Sequence, residues 1–365
     1  MASTKLDSVH ARLGQLLDAS GTPLSQRVAA VTLDGSELVL RMSSDAAEAE
    51  RTLVEQLAAG LVDPAIGVAS ISLRWPRSLQ GRSLGDNDPI RDVKHVILVM
   101  SGKGGVGKST VSCNLALALR RLGYRVGLLD ADMYGPSIPT MFGITGRPSA
   151  NGERIRPLER FGLKLMSLGF LLEDPKAAVV WRGPMLHSAL LQFVKDVDWG
   201  KLDFLVLDLP PGTGDVLLTL SQNLRSSGAV VVTTPQEVAL QDVYKSVSMA
   251  QKVNIPILGV IENESYFVCG NCNERHLIFG EGGGQKVAEQ AGRPLLGQIP
   301  VTREIREWGD AGTPVVQASP GSEAARVFME VAERVIEEAE ALAHASQGPT
   351  IDRGGGSNRH LPITR

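Results

Sequence analysis

The sequence predicts an α/β protein: a mostly parallel sheet flanked by helices, preceded by a small N-terminal α+β domain. Three observations carry that prediction. From residue 93 onward, near-continuous apolar runs alternate with helix-periodic segments, the pattern of parallel strands buried on both faces. The first of those runs passes through a glycine-rich loop into a helix. The opening 75 residues instead carry a hairpin signal, Asp34-Gly35, between two apolar-alternating stretches.

Composition sets outer bounds. The chain has 365 residues, long enough for two or three domains. Hydrophobic residues make up 43% and charged residues 21%, ordinary for a soluble globular protein. The net charge of −3 gives no basic excess of the kind a general nucleic-acid binder shows. Three cysteines are too few for a disulfide scaffold, so their spacing points to chemistry. No apolar run reaches membrane-spanning length, and Met1-Ala-Ser-Thr-Lys-Leu-Asp7 has neither a signal-peptide core nor an Arg-rich transit character. The expected compartment is cytoplasmic, with no membrane and no nucleic-acid partner.

Residues 1–75 read as the small module: helical spacing over Val9–Leu17, strands Val28–Leu33 and Glu37–Met42 around the Asp34-Gly35 turn, a helix Ala46–Ala59 and a strand Gly67–Leu73. This size and element order resemble the leading domain of many iron–sulfur carrier ATPases, and equally suit a docking module without chemistry. Residues 76–92, with two prolines and scattered charge, read as a linker. The main domain, 93–345, has strands at Val96–Met100, Arg125–Leu129, Lys164–Leu168, Phe204–Leu207, Ala229–Thr233, Ile257–Ile261 and Leu295–Ile299. Its helices are expected at Ser109–Leu122, Pro184–Val197, Leu217–Leu224, Leu240–Val253, Gln285–Ala291 and Glu323–Ala343. The last helix is acidic, without the Lys/Arg face of a membrane-lying helix. Residues 346–365, glycine-rich and poor in apolar residues, read as a disordered tail.

The loop is Ser101-Gly-Lys-Gly-Gly-Val-Gly-Lys-Ser-Thr110. Gly102, Gly104, Gly105 and Gly107 permit a tight curl that turns successive N–H groups inward as an anion nest, to which the next helix adds its positive end. Lys108 is placed to reach β- and γ-phosphate oxygens and Ser109 to put its hydroxyl on Mg²⁺. Gly102 to Ser109 satisfy the whole Walker A pattern, so the domain reads as a P-loop NTPase. Asp130 and Asp132 close the next strand at i, i+2 spacing and point the same way. Asp203-Phe-Leu-Val-Leu-Asp208 reads as Walker B, with Asp208 near Mg²⁺. Pro211, Gly212, Thr213 and Gly214 follow as a loop able to sense a γ-phosphate and relax without it. Cys269 and Cys272, two residues apart, are soft ligands that hold one edge of a metal centre. Cys113, on the helix after the loop, suits a buried small residue, and His187 a surface or capping position.

Lys103, a second lysine within the loop, resembles the deviant Walker A motif of the MinD, ParA and nitrogenase-iron-protein class of dimeric ATPases. In that class this lysine reaches across the dimer to the partner's nucleotide; the plain alternative is a solvated loop cation. The run Asn263-Glu-Ser-Tyr-Phe-Val-Cys269-Gly-Asn-Cys272-Asn-Glu-Arg-His276-Leu-Ile-Phe-Gly280 narrows the resemblance to Mrp/ApbC-type iron–sulfur cluster carrier ATPases. Val180-Trp-Arg-Gly-Pro-Met185, Asp196-Val-Asp-Trp199 and Thr233-Thr-Pro-Gln-Glu-Val-Ala-Leu240 match that family too, over about residues 93 to 340. Gly270 and Asn273 depart from the Pro and Gly usual after each cysteine, and Glu264 stands where Met is usual.

The resemblance implies a homodimeric ATPase that carries a [4Fe–4S] cluster between protomers on Cys269 and Cys272 and passes it to apo-proteins, with scaffold proteins as further partners. One Cys-x-x-Cys gives two thiolates, such a cluster takes four, and a twofold axis supplies the rest. It implies ATP contacts at Gly102, Lys103, Gly104, Gly105, Val106, Gly107, Lys108, Ser109 and Thr110, with Asn263 at the adenine edge. Lys103, Lys108 and Asp132 would be catalytic, Asp132 polarising the water and Asp130 serving the metal's outer shell as part of the first switch. Alternatives stay open: zinc on the same thiolates with or without His276, a redox disulfide, a structural pair, a zinc-bridged regulatory NTPase, or a ParA/MinD-like positioning switch.

Overall fold

The computed structural model describes residues 2–347 apart from 19–20, 35, 44–47, 86–87, 133–134, 153, 172–182, 213, 270 and 273. The N-terminal module comprises α1 (Ala2–Gln15), α2 (Leu24–Arg27), β1 (Val28–Asp34), β2 (Glu37–Met42), α3 (Glu48–Ala59) and β3 (Ser70–Arg74). β1 and β2 pair antiparallel, with Leu33 opposite Leu38 and Asp34 opposite Glu37, the register a two-residue turn imposes. β3 joins β2 in parallel. The module has its own core, in which Val9, Leu13, Leu38, Leu40 and Val54 are buried together.

The rest of the described chain winds around a second sheet. In chain order come β4 (Val93–Ser101), α4 (Lys108–Arg121), β5 (Val126–Asp130), α5 (Ile138–Met141), β6 (Ser149–Asn151), β7 (Arg154–Arg156), β8 (Leu158–Arg160), β9 (Leu163–Ser167), α6 (Gly183–Asp196), β10 (Leu202–Asp208), α7 (Gly214–Asn223) and β11 (Gly228–Thr233). Then follow α8 (Glu237–Lys252), β12 (Ile257–Glu262), β13 (Phe267–Val268), β14 (Arg275–His276), α9 (Gly283–Ala291), β15 (Leu295–Gln298), α10 (Arg303–Asp310), α11 (Val315–Ala318) and α12 (Glu323–Gln347). The sheet has 8 strands in the order β15-β12-β11-β4-β10-β5-β9-β8. All pair in parallel except β8, which returns antiparallel along β9.

The central strands read as unbroken apolar runs because each feeds two cores. Ile97, Val99, Val206, Val230 and Val232 pack on one face with residues of α4 and α12. Their neighbours Val96, Leu98, Leu205, Leu207 and Val231 pack on the other with residues of α6, α7 and α8. Alternation survives, but both faces are dry.

Several features depart from the sequence reading. Phe161 and Gly162 both take positive φ, 50° and 74°, which is a type I′ turn; it generates β8, and a phenylalanine in its first position gives no turn signal. α10 was not foreseen, since it is mostly charged. The stretch 76–92 has no helix or strand among its described residues, yet it is strapped down. Its Arg82, buried, donates to Asp88 and, at 3.0 Å, to the Ile90 carbonyl. α12 runs to Gln347, two residues into the stretch expected as a disordered tail; residues 348–365, like Val180–Arg182, lie outside the described residues.

Candidate functional site

Parallel pairing brings the ends of β4, β5, β10, β11 and β12 to one edge of the sheet, where open α/β sheets bind ligands. The loop after β4 lies there against two neighbours. A Cβ at Gly102 would overlap the backbone nitrogen of Val243 in α8 and stand 2.5 Å from the carbonyl carbon of Asp242. Gly107, at φ 76°, caps α4, and a Cβ there would overlap the Asn263 amide nitrogen. Glycine is therefore required at Gly102 by close approach of backbone and at Gly107 by its left-handed conformation. Ser101 donates its hydroxyl to the Lys103 carbonyl at 3.0 Å inside the loop.

A compact cluster forms around Asp208, which is fully buried. Lys108 Nζ donates to its Oδ1 at 2.8 Å and Ser109 Oγ to its Oδ2 at 2.6 Å. Ser112 Oγ lies 2.7 Å from Oδ1 and 3.0 Å from the Lys108 carbonyl. Asp132 Oδ2 stands 3.6 Å from Lys108 Nζ. The predicted Walker A lysine, Walker A serine, Walker B aspartate and switch aspartate are thus brought together. Ser109 and Asp208 present hard oxygen donors side by side, the donor type Mg²⁺ takes, so these residues fit that ion. Lys108, however, is held on Asp208 rather than directed along the loop.

Asp130 is the residue expected to serve the metal's outer shell. It is fully buried and accepts from Ser167 Oγ at 2.9 Å, from the Asp132 N–H at 3.1 Å and from the Ile138 N–H at 3.4 Å. It thereby ties the segment after β5 to β9. Burial, with the nearby Asp208 charge adding to it, pushes its carboxyl up to about 8. In the loop after β10, expected as the second switch, the Gly212 N–H donates to the Ser101 carbonyl at 3.3 Å and the Gly214 N–H to the Gly212 carbonyl at 2.9 Å. Thr213 lies outside the described residues. The side chain of Val106 is buried, and the Thr110 carbonyl accepts from Asn114.

Asn263, expected at an adenine edge, is buried, and its Nδ2 donates to the Val106 carbonyl at 2.9 Å. In this structure it braces the phosphate loop. Glu262 beside it is fully buried and accepts from Ser265, the Gly284 N–H and Gln298. No sequence signal pointed to Glu262, Ser112 or Ser167, because a polar residue at a strand end or on a helix is ordinary until its neighbours are known.

Six residues beyond Asn263 lies Cys269. β13 and β14 form a small antiparallel hairpin with Phe267 opposite His276, and the cysteines occupy its turn. The Cys269 N–H donates to the Glu274 carbonyl at 3.0 Å. Backbone N–H groups of Cys272 and Asn271 face the Cys269 sulfur and hold its thiol below the ordinary value. Cys272 is exposed, and its sulfur lies 3.7 Å from a Glu274 carboxylate oxygen. The ligand atoms of Cys269, Cys272 and His276 all lie within 4.8 Å of one another. Cys113 is fully buried, as expected, and burial raises its thiol well above the ordinary value. The side chain of His187 lies outside the described residues. Among the described residues no helix is long and apolar enough to cross a membrane.

The chain is 55% identical over 242 residues to an iron–sulfur cluster carrier protein of Aquifex aeolicus, covering 66% of each chain. It is 51% identical over 252 residues to the iron–sulfur cluster carrier protein of Escherichia coli, covering 68% of each. Against the mouse iron–sulfur cluster transfer protein NUBPL it is 46% identical over 275 residues, 74% of this chain and 86% of that one. Among solved structures, it is similar to a nucleotide-binding protein of Archaeoglobus fulgidus in complex with ADP. That match has 40% identity and a TM-score of 0.55, covering 61% of this chain and 88% of that one. Residues 92–336, the whole of the nucleotide edge and the cysteine hairpin, match the ParA model described as NUBPL iron-transfer P-loop NTPase. The chain therefore belongs to that family of P-loop NTPases.

Proposed function

We propose that the protein is a homodimeric, ATP-hydrolysing carrier that holds a [4Fe–4S] cluster between Cys269 and Cys272 of two protomers and delivers it to apo-proteins. The observation that carries this reading is the short path between its two sites. Asn263 is hydrogen-bonded to the phosphate loop, and the same stretch of chain runs directly into the cysteine hairpin. A change in the loop is therefore transmitted to the thiol pair through six residues of backbone. Cys269, with its thiol lowered by backbone N–H groups, suits a thiolate ligand.

The geometry supports the following proposed roles. The loop N–H groups and Lys108 bind the phosphates, and Lys108 exchanges Asp208 for phosphate oxygens as it does so. Ser109 and Asp208, freed of the ammonium, would hold Mg²⁺, which supplies charge neutralisation at the β- and γ-oxygens. Asp132, beside Lys108, orients the attacking water. Gly212 and its neighbours report the γ-phosphate through their tie to Ser101. The Asn263 carboxamide keeps a second N–H and its oxygen for an adenine edge. Lys103 makes no ion pair among the described residues, consistent with a partner in the second protomer. Apo iron–sulfur proteins and cluster scaffolds are the proposed partners. Cytoplasmic placement is part of the same proposal; a relative from Arabidopsis thaliana, 50% identical, is named as mitochondrial.

The test is anaerobic transfer from the loaded protein to an apo-acceptor enzyme that needs a [4Fe–4S] cluster. Acceptor activity should return with the wild-type chain and fail with the Cys269→Ala, Cys272→Ala double variant. Lys108→Ala should lose ATP turnover. Full transfer by the double variant would reject the carrier site, and full turnover by Lys108→Ala would reject the nucleotide site.

A further inference from the structure

The hairpin holds a third metal-ligating side chain that a cluster shared between protomers does not require. His276 pairs across the hairpin from Phe267, and its ring joins the two thiols in a triangle with no side above 4.8 Å. All three belong to one protomer. A tetrahedral ion with metal–sulfur bonds of about 2.3 Å and metal–nitrogen bonds of about 2.0 Å needs its ligand atoms about 3.5–3.8 Å apart. The triangle must therefore contract by at most about 1 Å, which rotation of side chains on a short hairpin with two-residue strands provides. Two sulfurs and an imidazole are a borderline-soft donor set, suited to Zn²⁺ and its spectroscopic stand-in Co²⁺ and poorly suited to Mg²⁺ or Ca²⁺.

We propose that Cys269, Cys272 and His276 of a single protomer form a mononuclear site for a thiophilic divalent ion of the zinc type, with His276 as the ligand that distinguishes it from the cluster site. Binding forms two metal–sulfur bonds and one metal–nitrogen bond and releases the protons of two thiols; no redox step is involved. Three protein ligands leave one coordination position open, so the ion is exchangeable. The thiols cannot serve the ion and a shared cluster together. Zinc on one protomer therefore competes with cluster loading of the dimer. The competition rests on the carrier reading above; the ion site does not.

The experiment is an anaerobic titration of the full-length, cluster-free protein with Co²⁺, followed by visible absorption, with Zn²⁺ as competitor. The expected result is one Co²⁺ per protomer with tetrahedral ligand-field bands. His276→Asn should weaken binding by at least about tenfold, the lower end for disturbing a metal's ligand environment. His276→Cys should restore it with shifted bands, which a merely structural role would not produce. Circular dichroism of each variant reports whether the fold is intact. Half an ion per protomer would mean a bridge of four thiolates and overturn the proposal. So would unchanged affinity and bands in His276→Asn, or no cobalt binding by the wild type. Iron and sulfide content after cluster reconstitution, measured in parallel, tests the carrier reading separately.

Discussion

Replacing Asp208 by Asn removes the charge on which the nucleotide edge is balanced. In the structure Lys108 Nζ lies 2.8 Å from Asp208 and 3.6 Å from Asp132. At an effective dielectric of about 20 these separations correspond to gross attractions of about 6 and about 5 kcal/mol. Loss of the first leaves a nearly buried ammonium with the second alone. Breaking a buried pair by removing one partner costs about 3–5 kcal/mol. Here the remaining Asp132 brings the expected cost of Asp208→Asn to about 2–3 kcal/mol. The Lys108→Met, Asp208→Asn double variant removes both charges, so it should recover about 2 kcal/mol relative to the sum of the single effects. Urea unfolding without nucleotide measures all three. An Asp208→Asn variant within about 0.5 kcal/mol of the wild type, or strictly additive effects, would refute the pairing as the organising interaction of the site.

Asp130 gives a pH signature. Its native carboxyl titrates at about 8 against about 3.9 in an unfolded chain, so the native state keeps a proton the unfolded state has released. This group's contribution is fully present below about pH 4 and is lost as pH rises to about 8. Asp130→Asn should therefore gain stability relative to the wild type as pH rises from 5 to 8; parallel urea midpoints across that range would contradict this. Gly102→Ala should cost about 1–3 kcal/mol, because the Asp242–Val243 backbone of α8 blocks the new methyl, and should weaken ATP binding by calorimetry; unchanged affinity would place the loop away from α8. Asn263→Ala strands the Val106 carbonyl at about 1–3 kcal/mol and should weaken nucleotide binding about tenfold, an effect that equilibrium dialysis would detect or exclude.

The sheet was legible in the sequence because its central strands are apolar on both faces, and because β4, β10 and β11 are each followed by a helix. The nucleotide edge was legible for a different reason: phosphate binding uses fixed spacings of glycine, lysine and serine, so Gly102 to Ser109 announce themselves. The same was true of Asp208 at the end of an apolar run. What the spacing could not show was partnership. Glu262, Ser112 and Ser167 acquire meaning only when distant strands place donors against them. Asn263 was legible as a site residue, but its hydrogen bond to Val106 depends on β12 lying beside the loop. β8 was missed because Phe161 occupies a left-handed position that β-turn signals reserve for Asn, Asp or Gly. α10 gives little sequence signal because Ile305 and Trp308 alone mark its apolar side within Arg303–Asp310, too few for a recognisable periodic run.

The most direct test of the central claim is the metal content of anaerobically purified protein, as iron, sulfide and zinc per dimer with the visible spectrum. The account predicts about four irons and four sulfides per dimer, lost together in the Cys269→Ala, Cys272→Ala variant. Zinc without sulfide, in protein that also fails anaerobic reconstitution with iron and sulfide, would contradict it.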